Sequence, residues 1–459
     1  MQKVVKKYDS YKDSGIMWVG EVPKHWNNKK LKYAGIITNG STPSSNSPNF
    51  WDGNIVWVTP SDLSRLDSKS VVSSERKITE DGLNSCGTSL VPEGSVILTT
   101  RAPIGNLAIA GTKLCTNQGC KSITTLGSFS SLYLFYQLFA GKEELISLGS
   151  GTTFKELSTE SLKSFEVVEP PLSEQVAIAN FLDSKTVQIE RLIQRKQEMI
   201  ALLEEEKTAV INEAVTKGLN PDAPMKNSGV EWLGVVPVHW NLKKLKHISK
   251  LISGAAFDSG EFLKSGNYKV IKITNIQHNR IDWKDIEYLS DEYAKSFLRF
   301  KIENGDILFA LTRPIISSGI KSARVEIEEN AQVLLNQRNA ILRAEGSISQ
   351  DFLYYYTLSD YFFKMFEASI DNTGQQPNIS PISIQNFSIC LPPLNEQIDI
   401  AQAVSRECQR IENLKRSFVS EISLLQEYRT ALISEAVTGK IDVRDYQPKP
   451  INSQQLELA

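Results

Sequence analysis

Apolar residues follow two rhythms along this chain. Over most of its length they come in short runs, but in two stretches they recur every seven residues. In the first stretch Leu182, Ile189, Lys196, Leu203 and Val210 mark the period, with Ile193, Ile200, Lys207 and Ala214 four positions after all but the first. In the second, the marks are Val404, Ile411, Phe418, Leu425 and Leu432, followed by Cys408, Lys415, Ile422, Arg429 and Ala436. A seven-residue repeat predicts long helices meeting along a coiled-coil seam. Residues 171–218 align with 393–440 without a gap to Thr216 and Thr438, and about 20 of the 48 positions are identical. Each copy opens after a Pro-Pro pair, with Ser173 or Asn395 placed to cap and a Glu-Gln pair in the first turn. Gly218 and Gly439 suit the helix ends. Some 43 residues at about 1.5 Å each make a rod of roughly 65 Å.

The seam also predicts direction. Lys207 and Arg429 occupy equivalent positions, so a parallel pair would bring two cations into one apolar layer. Antiparallel packing parts them, leaving globules or partners to supply acceptors. Lys196, standing where the second copy has Phe418, must carry its ammonium to the edge of the seam.

Outside the rods the pattern changes to short Val-, Ile- and Thr-rich runs bounded by Gly, Asn and Pro, the mark of strands. NIVWVTPSD, GSVILTT, LAIAG and KSITTL fill 36–170, and KVIKITNI, GDILFAL and NAILRA follow the same order in 250–392. SLYLFYQLF and its counterpart DFLYYYTLSDYFFKMFE are the helix-like parts. The phrase SGIMWVGEVPKHWNNKKLKYAG returns as SGVEWLGVVPVHWNLKKLKHIS at an offset of 214, giving His25 and His239 equivalent slots. A repeated Trp-Pro-His-Trp cluster reads as packing that pins the start of each half against the rods. The layout predicts a first globule over 1–170, a rod over 171–218, a second globule over 219–392, a rod over 393–446 and a disordered polar tail over 447–459.

Composition narrows the class. With 459 residues, 41% hydrophobic and 23% charged, the chain reads as a soluble protein of several domains. No apolar run approaches the roughly 18 residues of a membrane span, and the lysine-rich start is no secretory signal. The five cysteines form no CxxC pair and the four histidines no HxxxH spacing, which points to a reduced, cytoplasmic protein without a structural metal. EPPL and LPPL lack the residues of a methyltransferase loop, and NQGCKS lacks those of a phosphate-binding loop. The chain therefore reads as non-catalytic.

Taken together, WVGEVPKHW and WLGVVPVHW, PPLSEQVAIA and PPLNEQIDIA, and NEAVTKG and SEAVTGK resemble the specificity (S) subunit of type I restriction-modification systems. The resemblance covers essentially the whole chain. It implies a mixed α/β fold in which two target recognition domains alternate with two long helices, the helices forming an antiparallel coiled coil with an internal pseudo-twofold repeat. Each domain would read one half of a split, asymmetric site on double-stranded DNA. The helices would space the halves and dock two methylation subunits, and restriction subunits would join them. It implies no cofactor in this chain: S-adenosylmethionine, ATP and Mg would belong to the partner subunits.

Charge complicates that picture. The formal net charge is −2, with 10 Lys/Arg against 13 Asp/Glu in 36–170 and 15 against 17 in 250–392. Bulk electrostatics would hold DNA weakly, so partners would grip the phosphates while neutral donors and a few arginines read base edges. Candidates follow from landmarks shared by the globules. Thr100-Arg101 matches Thr312-Arg313, each followed closely by proline; these arginines either face bases or form ion pairs and backbone clamps. Asn117, Gln118 and Lys121 match the region of Gln337 and Arg338. Thr152, Thr153 and Lys155, with Gln375, Gln376 and Asn378, precede the rods and face the duplex or simply make turns. Trp51, Trp57 and Trp283 read as core or shape-setting. Two other classes remain open: a coiled-coil scaffold for protein partners, and a self-sufficient methyltransferase or nuclease, which the missing motifs disfavour.

Overall fold

The computed structural model describes residues 6–151, 155–230 and 232–446. Thr152, Thr153 and the tail 447–459 lie outside the described residues. The chain divides into two compact units, Met1–Lys196 with Val419–Ala459, and Gln197–Phe418. Both cuts fall inside the long helices, which run Leu172–Lys217 and Leu394–Val437. Each unit therefore holds one globule, the opening half of one long helix and the closing half of the other.

In the first unit, a five-stranded sheet is ordered Gly35–Asn39, Cys120–Thr125, Val96–Thr99, Leu107–Ala110, Ser70–Val71; only the last pair is parallel. All four residues of Val96–Thr99 are buried, as expected of a continuous apolar run covered on both faces. Val96 and Leu98 join the core beneath Ser131–Ala140, whereas Ile97 faces a second core with Val58, Ala108 and Cys120. A three-stranded sheet places Trp51–Val58 between Cys115–Thr116, parallel, and Lys77–Ile78, antiparallel. Trp51 and Trp57 are buried edge-to-face at 5.1 Å.

The second unit repeats this plan with other residues. Its larger sheet is ordered Ser249–Ser253, Asn339–Ala344, Ile307–Ala310, Ser322–Arg324, antiparallel throughout. Tyr268–Ile271 lies between Gln332–Leu335, parallel, and Glu287–Leu289, antiparallel. Ile307 and Phe309 face one core and Leu308 the other, as their counterparts do. The segment DFLYYYTLSDYFFKMFE is two helices, Gln350–Thr357 and Asp360–Ala368. They part at Ser359, whose hydroxyl accepts from Phe362 N at 3.2 Å. Trp283, by contrast, is outside the core: it is 39% exposed, with the Lys269 ammonium 5.8 Å from its ring centre.

Within each unit the two helix halves run antiparallel. Glu190 pairs with Arg429 at 3.2 Å and Lys196 with Glu421 in the first unit. In the second, Lys207 pairs with Glu412 at 2.7 Å, Glu206 with Arg410 at 2.7 Å, and Glu204 with Lys415. The acceptors for Lys207 and Arg429 thus come from the facing helix and not from globules or partners. Glu412 and Glu190 are themselves equivalent under the 222-residue shift, so one ion pair is made twice. Leu182, Ile189, Val404, Ile411 and Leu432 are buried; Leu203, Val210, Phe418 and Leu425 are half-buried. The caps differ from the sequence reading. The helices begin at Leu172 and Leu394, with Pro171 O and Pro393 O accepting the first-turn bonds, so Ser173 and Asn395 sit inside the first turn.

Candidate functional site

In both globules the end of the central sheet strand runs into a rim where several connections meet. In the second unit Leu311 N donates to Arg338 O at 2.8 Å, Arg313 N to Pro377 O at 2.8 Å, and Ile379 N to Leu311 O at 2.9 Å. Thr312 also bridges Asn378. These main-chain bonds tie residues 311–313, the turn at 336–338 and the loop 371–378 into one surface. The first unit repeats the scheme: Thr100 N donates to Gly119 O and Leu157 N to Thr100 O, both at 2.8 Å, and Arg101 bridges Glu156. A glycine lets a further segment close on each rim. A Cβ at Gly40 would lie 1.9 Å from Asn117 O, and one at Gly254 would lie 2.0 Å from Asn336 O. No larger residue fits at either place. Their spacing equals the 214-residue offset of the Trp-Pro-His-Trp phrase, so the sequence repeat itself marks both positions.

The side chains of the two rims differ. In the first, Thr100 is buried and donates to Gly119 O at 3.3 Å, so it supports the rim and does not face outward. Lys121 is also buried; desolvation, and secondarily Arg101, lower its pKa against the opposing pull of Glu156. Asn117 Oδ1 accepts from Gly119 N at 2.9 Å and fixes the turn, while exposed Gln118 accepts from the Thr42 hydroxyl. Arg101 is about half-exposed, its Nε 3.2 Å from Glu156 Oε1. Lys155 is exposed.

In the second rim Thr312 is buried, and Gln376 is half-buried with its carbonyl taken by Asn378 Nδ2 at 2.8 Å. Arg313, Gln337, Arg338, Gln375 and Asn378 are exposed. The structure thus withdraws the side chains of Thr100, Thr312 and Lys121 from the accessible face.

What holds each globule to its helix is the Glu-Gln pair of the first turn. Glu174 takes Trp26 Nε1 at 3.0 Å, the Tyr8 hydroxyl at 3.1 Å and His25 Nε2 at 2.8 Å. Glu396 takes Trp240 Nε1 at 3.1 Å and His239 Nε2 at 2.7 Å. The histidines and tryptophans therefore pin the start of each globule through one carboxylate. Next to it, Gln175 accepts from Ser130 N and donates to Ser128 O and Pro170 O, each at 2.9 Å. Gln397 accepts from Ser349 N at 2.7 Å and donates to Ser347 O and Pro392 O at 2.9 Å. Burial also drives the Tyr133 hydroxyl well above its usual pKa; it stays neutral and donates to Val437 O at 3.2 Å. Among the described residues no cluster of His, Cys, Asp and Glu could hold a metal ion, and no helix is long and apolar enough to cross a membrane.

Comparison with known proteins adds an independent line. A family model of the type I restriction modification DNA specificity domain matches twice, over residues 23–200 and 237–417. The type I restriction enzyme MjaIX specificity subunit of Methanocaldococcus jannaschii is 27% identical over 435 residues, spanning 93% of this chain and 96% of that protein. The MjaVIII specificity subunit of the same organism is 28% identical over 314 residues, 68% of this chain and 71% of its own. Among solved structures, the HsdS subunit from Thermoanaerobacter tengcongensis superposes with a TM-score of 0.56 at 19% identity, covering 92% of this chain and 98% of that one. A chain from a structure concerned with complex assembly of the type I R-M system gives 0.64 at 19% identity, covering 91% and 98%. At such identity the structural likeness speaks to the fold.

Proposed function

This chain belongs to the type I restriction modification DNA specificity family, and from that premise we propose that it reads the target of such a complex, one half of a split, asymmetric site per globule. One observation carries the reading most directly. The backbone scheme of the rim, its glycine and its Glu-Gln clamp occur twice, while the side chains on the rim differ between copies. A constant frame carrying two different polar edges is what two unlike half-sites require.

The chain contributes recognition and no chemistry of its own. Methylation, with S-adenosylmethionine, and cleavage, with ATP and Mg, belong to partner subunits, and the complex works in the cytoplasm. Two methylation subunits dock on the long helices, and restriction subunits join the assembly. Leu192, Met199 and Leu202 on the first helix and Leu414, Val419, Leu424 and Tyr428 on the second support this, because they leave large apolar side chains exposed. The paired helices set the unread distance between half-sites.

The test is an exchange. Residues 36–170 are replaced by the equivalent segment of another specificity subunit, and methylated sites are mapped in plasmid DNA from cells carrying the complex. One half-site changes and the other stays. A change in both, or in neither, would refute the reading, and the second outcome would favour a protein scaffold.

A further inference from the structure

The two rims are built alike but charged differently. In the first, the single arginine is already engaged: Arg101 lies 3.2 Å from Glu156, and the neighbouring lysine, Lys121, is buried. What remains at that rim offers no second guanidinium: Gln118, held by Thr42; Asn39, which accepts from the Thr159 hydroxyl at 2.8 Å; and the exposed Lys155, a point charge without a planar fork. In the second rim two arginines are exposed, and neither has an acidic partner among the described residues. Arg338 stands where the repeat in the first globule has Gly119, in the sequences NQR and NQG.

Backbone conformation separates these two arginines from nearly every other residue. Arg313 has φ +46° and Arg338 φ +64°, in the left-handed region that favours glycine and that long side chains rarely adopt. Both are locked there by the rim's own bonds, Arg313 N to Pro377 O and Leu311 N to Arg338 O. The main chain is thus held in an uncommon conformation at the two points where a guanidinium leaves the rim. Strain of this kind concentrates where a side chain is presented to a ligand. A guanidinium offers a planar fork of donors, and in the major groove only guanine presents two acceptors, N7 and O6, to match it.

We propose that Arg313 and Arg338 are the guanine-reading residues of the second globule, and that the first globule reads its half-site without an arginine fork. The proposal rests on the DNA-reading function above and goes further by assigning a base chemistry to each half.

The test uses the complex of this chain with its methylation subunits. Its site is first mapped, and the halves are assigned by the exchange of residues 36–170. Fluorescence anisotropy then measures binding to duplexes in which each guanine of the second half-site, on either strand, is replaced singly by 7-deazaguanine, which lacks the N7 acceptor. The wild-type complex should lose on the order of 10- to 100-fold at one guanine or more. Arg313→Ala or Arg338→Ala should abolish that loss at its own guanine while leaving first-half selectivity intact. Arg313→Lys, which keeps charge but not the fork, should retain overall affinity and salt dependence yet lose discrimination at the guanine that Arg313 reads.

A second half-site without a G·C pair would overturn the proposal, as would 7-deazaguanine losses unchanged in both alanine variants. Full discrimination in Arg313→Lys would mark a phosphate contact and overturn it for Arg313. An Arg101→Ala variant that erased a comparable 7-deazaguanine loss in the first half would overturn the contrast between globules. A wild-type complex with no sequence preference would instead bring down the DNA-reading function itself.

Discussion

Glu174 shows how much depends on one carboxylate. It is buried, and two donors, Trp26 Nε1 and the Tyr8 hydroxyl, converge on the same oxygen while His25 meets the other. Glu174→Ala would leave the indole N–H and the phenol buried without acceptors, at a cost of about 2–4 kcal/mol. Hydrogen exchange should show the loss as faster exchange in residues 8–31, with 225–245 unchanged because Glu396 still holds the second copy. Equal deprotection of both segments would mean that the carboxylate is not a local clamp. The sequence exposed the ingredients, since Glu-Gln and Trp-Pro-His-Trp are both repeated, but not their meeting. Glu174 and Trp26 lie 148 positions apart, and no local pattern encodes such a contact. The same limit applies to Thr100 and Lys121. Threonine and lysine look like surface chemistry in sequence, and only the closing of the rim shows them buried.

Elements were more legible than residues. A heptad rhythm sustained over some 40 residues has few alternatives to a long helix, and burial of Leu182, Ile189, Val404, Ile411 and Leu432 follows that rhythm. Helix direction was readable from two cations; their acceptors were not, because an acidic residue off the seam carries no mark of facing a base across it. Lys207 and Glu412 make the pair that Arg429 and Glu190 repeat. Lys207→Glu should set two carboxylates against each other and cost roughly 0.5–1.5 kcal/mol in urea unfolding, a half-buried version of the exposed pairs. Adding Glu412→Lys should recover most of it. A double variant no more stable than the single one would show that packing, and not this pair, sets the local register. Short strands are legible because Val96–Thr99 and Ile307–Ala310 are buried on both faces and lie in nearly unbroken apolar runs. The break at Ser359 carries no mark in the sequence, because aromatic residues continue on both sides of its cap.

At the scale of the whole molecule, net charge limits what the chain does alone. With acidic residues outnumbering basic ones in both globules, few phosphates can be neutralised by this chain. The isolated protein should show a shallow salt dependence, a log–log slope between 0 and about −3, because each neutralised phosphate contributes roughly −0.9. A slope of about −6 or steeper, measured on the chain by itself, would reveal a phosphate clamp of its own. Adding the methylation subunits should steepen it. The clamp of Gln175 and Gln397 bears on a different property, inheritance. Both glutamines grip the globule by main-chain groups alone: the N–H of Ser130 or Ser349 and the carbonyls of Ser128 or Ser347. A grip on the backbone does not depend on which side chains the loop carries. A foreign globule that keeps the turn therefore keeps these bonds whatever its side chains, while side-chain contacts such as Lys69 with Asp183 and Tyr136 with Thr186 have to be remade. Exchange of a whole segment would then replace the rim in one step while the main-chain clamp is kept.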